Sequence, residues 1–134
     1  AAREAIVKRY PRDSFTLATK LPLWDEVETE ADMQKIFDES MARAGVEYFD
    51  YYLLHAMDKT KLEKADRIGA WDFLFKMKAQ GKIKHCGFSF HDSADVLDEA
   101  LTKHPEAEFV QLQINYVDWE SDNVQSRKCY EVAL

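Results

Sequence analysis

The chain has 134 residues and a formal net charge of −7, which argues against the basic stripe that a nucleic-acid surface requires. With 46% hydrophobic and 13% aromatic residues, it has the side chains for one soluble globular domain over residues 1–134 and too many of them for disorder. No apolar run approaches about 18 residues, which excludes a helical membrane span. Ala1-Ala2-Arg3-Glu4 shows no signal-peptide core. The two cysteines, Cys86 and Cys129, fit a reduced compartment, and a cytoplasmic location is expected. Cys86 sits in an apolar run and reads as a small core residue.

In chain order, residues 3–10 look like the tail of a helix, broken by Pro11-Arg12-Asp13. A first strand over 15–20, Phe-Thr-Leu-Ala-Thr-Lys, follows. Thr29 and Asp32 form a capping-box-like helix start. Met33, Ile36, Phe37, Met41 and Ala44 keep helical spacing, and Gly45 is the stop. The second strand is 48–54, ending against His55. One helix is predicted over about 64–80, with Ile68, Trp71, Leu74, Phe75 and Lys78 on one stripe and Gly81 as its stop. A third strand covers 83–89. Ser93 caps a helix carrying Val96, Leu97, Ala100 and Leu101, which ends before His104-Pro105. The fourth strand is 109–114, and a last helix starts near Asp122.

The order is therefore βα repeated, with near-continuous apolar strands of the kind found in parallel sheets. Lys20 and His55 are 35 residues apart, and His55 and Ser89 are 34 apart, close to the roughly 30 residues of a strand–helix unit. Four such units cannot close an eight-stranded barrel. An open sheet with helices on one face would leave its edges and other face bare. The chain is thus a doubly wound sheet or a segment of a barrel. Four glycines and no Gly-x-Gly-x-x-Gly exclude a Rossmann phosphate loop.

Polar residues closing such strands face an active-site mouth in a barrel. Lys20 there can tune a neighbouring acid, bind a phosphate or form a Schiff base. It can equally be a solvated loop lysine, although apolar residues flank it. His55 can donate a hydrogen bond to a carbonyl oxygen, act in acid–base chemistry, or be structural. His85, His91 and His104 read as structural or surface residues. His55, Asp58 and His91 share no motif spacing, so no metal site is expected. Ser89 lacks the glycine that a nucleophile elbow places after its serine, which favours a ligand contact. Gln111 and Gln113 share one strand face, either toward a ligand or toward solvent. Trp24, Tyr116 and Trp119 lie past strand ends, to wall a pocket or simply to pack.

Together the runs resemble the aldo-keto reductase superfamily. Leu-Ala-Thr-Lys-Leu looks like its third-strand lysine motif and Tyr-Tyr-Leu-Leu-His like its fourth-strand histidine motif. Lys-Ile-Lys-His-Cys-Gly-Phe-Ser looks like the fifth-strand K-I-R-x-x-G-x-S signature, and Val-Gln-Leu-Gln-Ile-Asn-Tyr like the sixth strand. The run 111–119 and the helix around 126–132 look more like the branch that often carries a C-terminal iron–sulfur, ferredoxin-like extension, whose cluster would belong to the parent protein and not to this chain.

The resemblance implies an α/β fold that is a partial TIM (β/α)8 barrel, about four βα units, strands three to six of the family. It implies an NADPH- or NADH-dependent reduction of aldehydes and ketones, with a small carbonyl substrate and an Asp-Tyr-Lys-His tetrad. Lys20 would be the tetrad lysine and His55 the tetrad histidine. Ser89 and Gln111 would contact the nicotinamide carboxamide. Phe90 stands where the family commonly has Asn. The family's Asp and Tyr lie upstream of this segment, and strands seven and eight downstream, so the segment alone is expected to be inactive. The rival expectations are a Schiff-base aldolase using Lys20 and a non-catalytic fragment that self-associates through open sheet edges.

Overall fold

A computed structural model describes residues 2–134. Strands β1 (Ala18–Leu21), β2 (Phe49–Met57), β3 (Ile83–Phe90) and β4 (Phe109–Gln111) form one parallel sheet in the order β1-β2-β3-β4. Spatial order follows chain order, without the reversal that defines a doubly wound sheet. Of the two architectures open to the sequence, the fold is the barrel segment. Helices α1 (Glu30–Ala44), α2 (Lys59–Ile68), α3 (Ala70–Ala79), α4 (Ala94–Lys103) and α5 (Ser126–Ala133) make the connections and the C-terminal cover.

Register assigns the side chains to two faces. Thr19, Tyr52 and Cys86 are paired across β1, β2 and β3, and Leu21, Leu54, Phe88 and Val110 across all four strands. Because side chains alternate along a strand, these rows share one face. Against it packs an aromatic cluster. Phe37 of α1 meets Tyr52, Phe49 and Phe73 edge-on at centroid distances of 5.0, 5.9 and 6.1 Å, and Trp71 of α3 meets Phe88 at 5.6 Å. Burying such a side chain stabilises by about 2 kcal/mol, and edge-to-face aromatic pairs add about 1 kcal/mol. The opposite face carries Ala18, Lys20, Tyr51, Leu53, His85, Gly87, Phe109, Ser89 and Gln111, and among the described residues no helix is laid on it.

Local chemistry explains the boundaries. Thr29 and Asp32 form the full capping box: the Asp32 amide donates to Thr29 Oγ1 (3.2 Å) and the Thr29 amide to Asp32 Oδ2 (2.9 Å). Gly45, in the left-handed region, ends α1. The single helix expected over 64–80 is two helices. Asp58 accepts from the Lys61 amide at 2.8 Å and starts α2 earlier, and Gly69, at φ 71°, ends α2 and begins α3. β2 runs on to Met57 through an irregularity between Leu54 and Met57, where Ala56 has φ 53°. β4 stops at Gln111 rather than 114, because Asn115 and Asp118 tie the following residues into a turn. Asn115 Oδ1 accepts from the Val117 and Asp118 amides, and Asp118 Oδ2 accepts from Gln113 and Asn115. Of residues 3–10, expected as a helix tail, Arg3–Val7 form a five-residue π-helix and the rest is turn and bend.

Candidate active site

Lys20 pairs with Leu53, two residues before His55, and Ser89 pairs with Gln111. Leu54 pairs with Phe88 before the register shifts, and the bond from the Ala56 amide to Ser89 Oγ at 2.7 Å keeps the backbone of His55 beside Ser89. All four residues therefore stand on the helix-free face near the C-terminal ends of their strands. Lys20 is half-buried, His55 and Gln111 are exposed, and Ser89 is only 1% exposed.

Electrostatics couple the first two. The His55 pKa lies below the usual histidine value. Partial burial contributes most, followed by the charges of Lys20, Lys61 and His91. His55 is therefore held toward neutral imidazole, which can donate an N–H to a carbonyl oxygen without carrying charge. The Lys20 ammonium beside it can stabilise an anion on the same face.

Ser89 is engaged elsewhere. Its Oγ accepts from the Ala56 amide at 2.7 Å and lies 3.5 Å from the Leu54 carbonyl. Gln113 does not join Gln111 on a strand face but donates to Asp118 at 3.1 Å. Tyr51, the tyrosine on the helix-free face, pairs with Ala18, well below His55. It stacks on His85 at 5.1 Å and meets Phe109 edge-on at 5.3 Å. Tyr52 lies on the other face. Its buried hydroxyl has no hydrogen-bond partner among the described residues, and burial pushes its pKa well above the usual range.

The remaining candidates play other parts. His85 is exposed and lies 3.4 Å from Glu108. His104 bonds Asp66 at 2.8 Å and stacks on Trp71 at 4.2 Å. Cys86 is buried against the Leu74 carbonyl, and burial pushes its thiol up to about 11. Burial also raises Cys129, whose Sγ lies 3.7 Å from the Asp92 carbonyl. Among the described residues no group of three or more His, Cys, Asp or Glu is placed to hold a metal ion. Among them, too, no helix is long and apolar enough to cross a membrane. A cleft beyond β3 and β4 is lined by Phe90, His91, Gln113, Ser126 and Cys129, and none of Lys20, His55, Ser89 and Gln111 borders it. Trp24 and Tyr116 are exposed, whereas Trp119 packs on Tyr130 at 5.9 Å.

Sequence reasoning missed two contributors. Lys61 donates to the Ala56 carbonyl at 3.0 Å and helps to lower His55. Its signal was Asp58, a helix-capping residue three positions before it. The left-handed Ala56 left no signal, since alanine does not advertise that conformation.

Consecutive parallel βα units in spatial order, with a lysine and a histidine near strand ends, define a class by fold: a segment of a (β/α) barrel. The sequence profile of the aldo/keto reductase family matches residues 1–134; the chain belongs to that family. Solved structures agree. An aldo/keto reductase from Klebsiella pneumoniae in complex with NADP and acetate superposes with a TM-score of 0.70 at 23% identity, covering 99% of this chain and 44% of that one. Another from Klebsiella pneumoniae, in complex with NADPH, gives 0.66 at 25% identity, covering 92% and 41%. The Bombyx mori aldo-keto reductase in complex with NADP gives 0.63 at 19%, covering 98% and 43%. The chain thus spans less than half the length of these structures. No curated protein matches it.

Proposed function

We propose that this chain forms the lysine–histidine part of an NAD(P)H-dependent reductase site that converts aldehydes or ketones to alcohols. The observation that carries the reading is Lys20 and His55, electrostatically coupled on one face at adjacent strand ends. The NADP- and NADPH-bound relatives support the cofactor class. Lys20, His55 and Gln111 offer polar atoms on an open face and fit a nicotinamide with a small carbonyl compound. Ser89 fits only through the proton it now directs at Leu54. Two buried free thiols suit a reducing, cytoplasmic setting.

A reduced nicotinamide held on this face would supply hydride to the carbonyl carbon. The oxygen needs a proton at the same time, and a tyrosine phenol, with a pKa near 10, gives it slowly unless tuned. The Lys20 ammonium would stabilise a phenolate brought onto this face and lower that pKa. His55 donates to the carbonyl oxygen and orients it. Tyr51 and Tyr52 do not serve as this donor: one is stacked low on the face and the other is buried behind the sheet. The face is also open to water. The 134-residue protein by itself is therefore expected not to turn over.

The test has two arms. Pure 134-residue protein with NADPH and an aldehyde is expected to show no steady loss of nicotinamide absorbance, and sustained turnover would overturn that expectation. In a protein where these residues are completed to the length of the matched reductases, Lys20→Met and His55→Gln should each lower kcat by about 100-fold or more. Undiminished turnover in both would remove the assignment. A second reading, a self-associating barrel segment, is favoured by the outer edges of β1 and β4, which are unpaired among the described residues.

A further inference from the structure

The side chain of Ser89 and the backbone around His55 form a single unit. His55 is joined to its neighbours by two peptide groups, and the Ser89 hydroxyl reaches both. It accepts from the Ala56 N–H at 2.7 Å, and its own proton faces the Leu54 C=O at 3.5 Å. These two peptides set the φ and ψ of His55, so the hydroxyl limits where the imidazole can point. The strand needs such a restraint here. Ala56 has φ 53°, a conformation that costs a residue with a Cβ and persists only where its surroundings enforce it. The other polar atom of Ala56 is also held, its carbonyl accepting from Lys61 Nζ at 3.0 Å. Beyond it, the Met57 carbonyl accepts from the His91 amide at 2.9 Å.

We infer that Ser89 is a positioning residue for His55: its buried hydroxyl clamps the left-handed turn at Ala56 and thereby aims the imidazole across the sheet toward Lys20. This role rests on reading His55 as a functional residue of a reductase site. It differs from the carboxamide contact that the family resemblance assigns to Ser89, because the clamp exists before any cofactor binds. Ser89 is 1% exposed and its hydroxyl accepts from the Ala56 amide, so that bond is the one a substitution removes first. Lys20 on β1, Lys61 on α2 and His91 after β3 are the charged or titratable groups acting on the imidazole. Turning the ring changes its distance to each of them.

The experiment is NMR on the protein without cofactor, comparing wild type, Ser89→Ala and Ser89→Thr, which keeps a hydroxyl. In Ser89→Ala the Ala56 amide is expected to exchange at least about ten-fold faster, and the His55 ring resonances and titration midpoint are expected to move. In Ser89→Thr all should remain near wild type. A serine that only contacts a cofactor would leave Ala56 and His55 unchanged in both variants, and that result would overturn the inference. If Ser89→Ala does not fold, the Ser89→Ala/Ala56→Gly double variant is expected to recover a dispersed spectrum, because glycine adopts this φ without strain. Failure to recover it would also overturn the clamp. These readouts do not require turnover. Absence of reductase activity would sink the functional reading while leaving the Ala56 and His55 shifts in place.

Discussion

The most heavily invested single residue away from the candidate site is Asp50, at the opposite end of the sheet. Its side chain is 7% exposed. Oδ2 accepts from Arg12 Nη2 at 2.7 Å and the Leu17 amide at 2.9 Å, and Oδ1 faces Lys84 at 3.1 Å. Arg12 also bonds the Phe15 and Tyr48 carbonyls and lies 3.9 Å from the Tyr48 ring centre. Asp50 thus ties the approach to β1 onto the start of β2. Burial by itself would raise its pKa; the hydrogen bonds from Arg12, Leu17 and Lys84 outweigh that and hold it below the usual carboxylate value. A carboxyl depressed in the fold favours the folded state above the unfolded pKa near 4, and this benefit is lost as pH falls through the lower folded value. Asp50→Asn is expected to cost about 2 kcal/mol at neutral pH, discounted because Arg12 and Lys84 are partly solvated. Denaturant unfolding at several pH values checks it. The gap to wild type should narrow as the solution is acidified below about pH 4; a gap constant with pH would mean that the charge contributes nothing.

Two glycines act at the scale of elements, for different reasons. A Cβ on Gly69 would meet nothing within 4 Å, but its φ of 71° is unfavourable for any other residue. Gly69→Ala should therefore cost about 1 kcal/mol of backbone strain, with the core unchanged. A Cβ on Gly87 would lie 2.2 Å from the Phe109 carbonyl oxygen and 2.8 Å from its ring. Gly87→Ala forces β4 away from β3 and should cost about 3 kcal/mol. Hydrogen exchange of the Gly87 to Gln111 region would show loosening confined to β4 in this variant and absent in Gly69→Ala. The same elements mark what the sequence could express. The first three strands were legible because their apolar runs end on polar residues at near-constant spacing, which also exposed Lys20 and His55; the fourth was legible from its apolar run alone. The break at Gly69 was not, because Ile68, Trp71 and Leu74 keep helical phase across it and an isolated glycine is tolerated in a helix at about 1 kcal/mol. Nor was the bond from the Ala56 amide to Ser89, since pairing between a side chain and a neighbouring strand's backbone has no periodic signature.

For the molecule as a whole, the decisive asymmetry is that its helices cover one face of the sheet. The other face shows Tyr51 and the half-buried Phe109 beside Lys20 and His55, and among the described residues β1 and β4 each keep one unpaired edge. Past β4, Ile114 is 54% exposed and Tyr116 and Val117 are almost wholly so. Unpaired backbone edges bordered by apolar side chains are templates for pairing with another chain, and such a patch is more than isolated surface hydrophobes. The net charge of −7 opposes association only weakly at physiological salt, where fields decay within about 8 Å. The 134-residue protein is therefore expected to self-associate with rising concentration, seen by sedimentation velocity. Ile114→Lys, which places a charge beside the β4 edge, should shift it toward monomer without changing the helical signal. A monomer that unfolds cooperatively at every concentration would show instead that the helix-covered face alone stabilises the fold. In that case the bare face around Lys20 and His55 would be kept open for ligand rather than for a second copy.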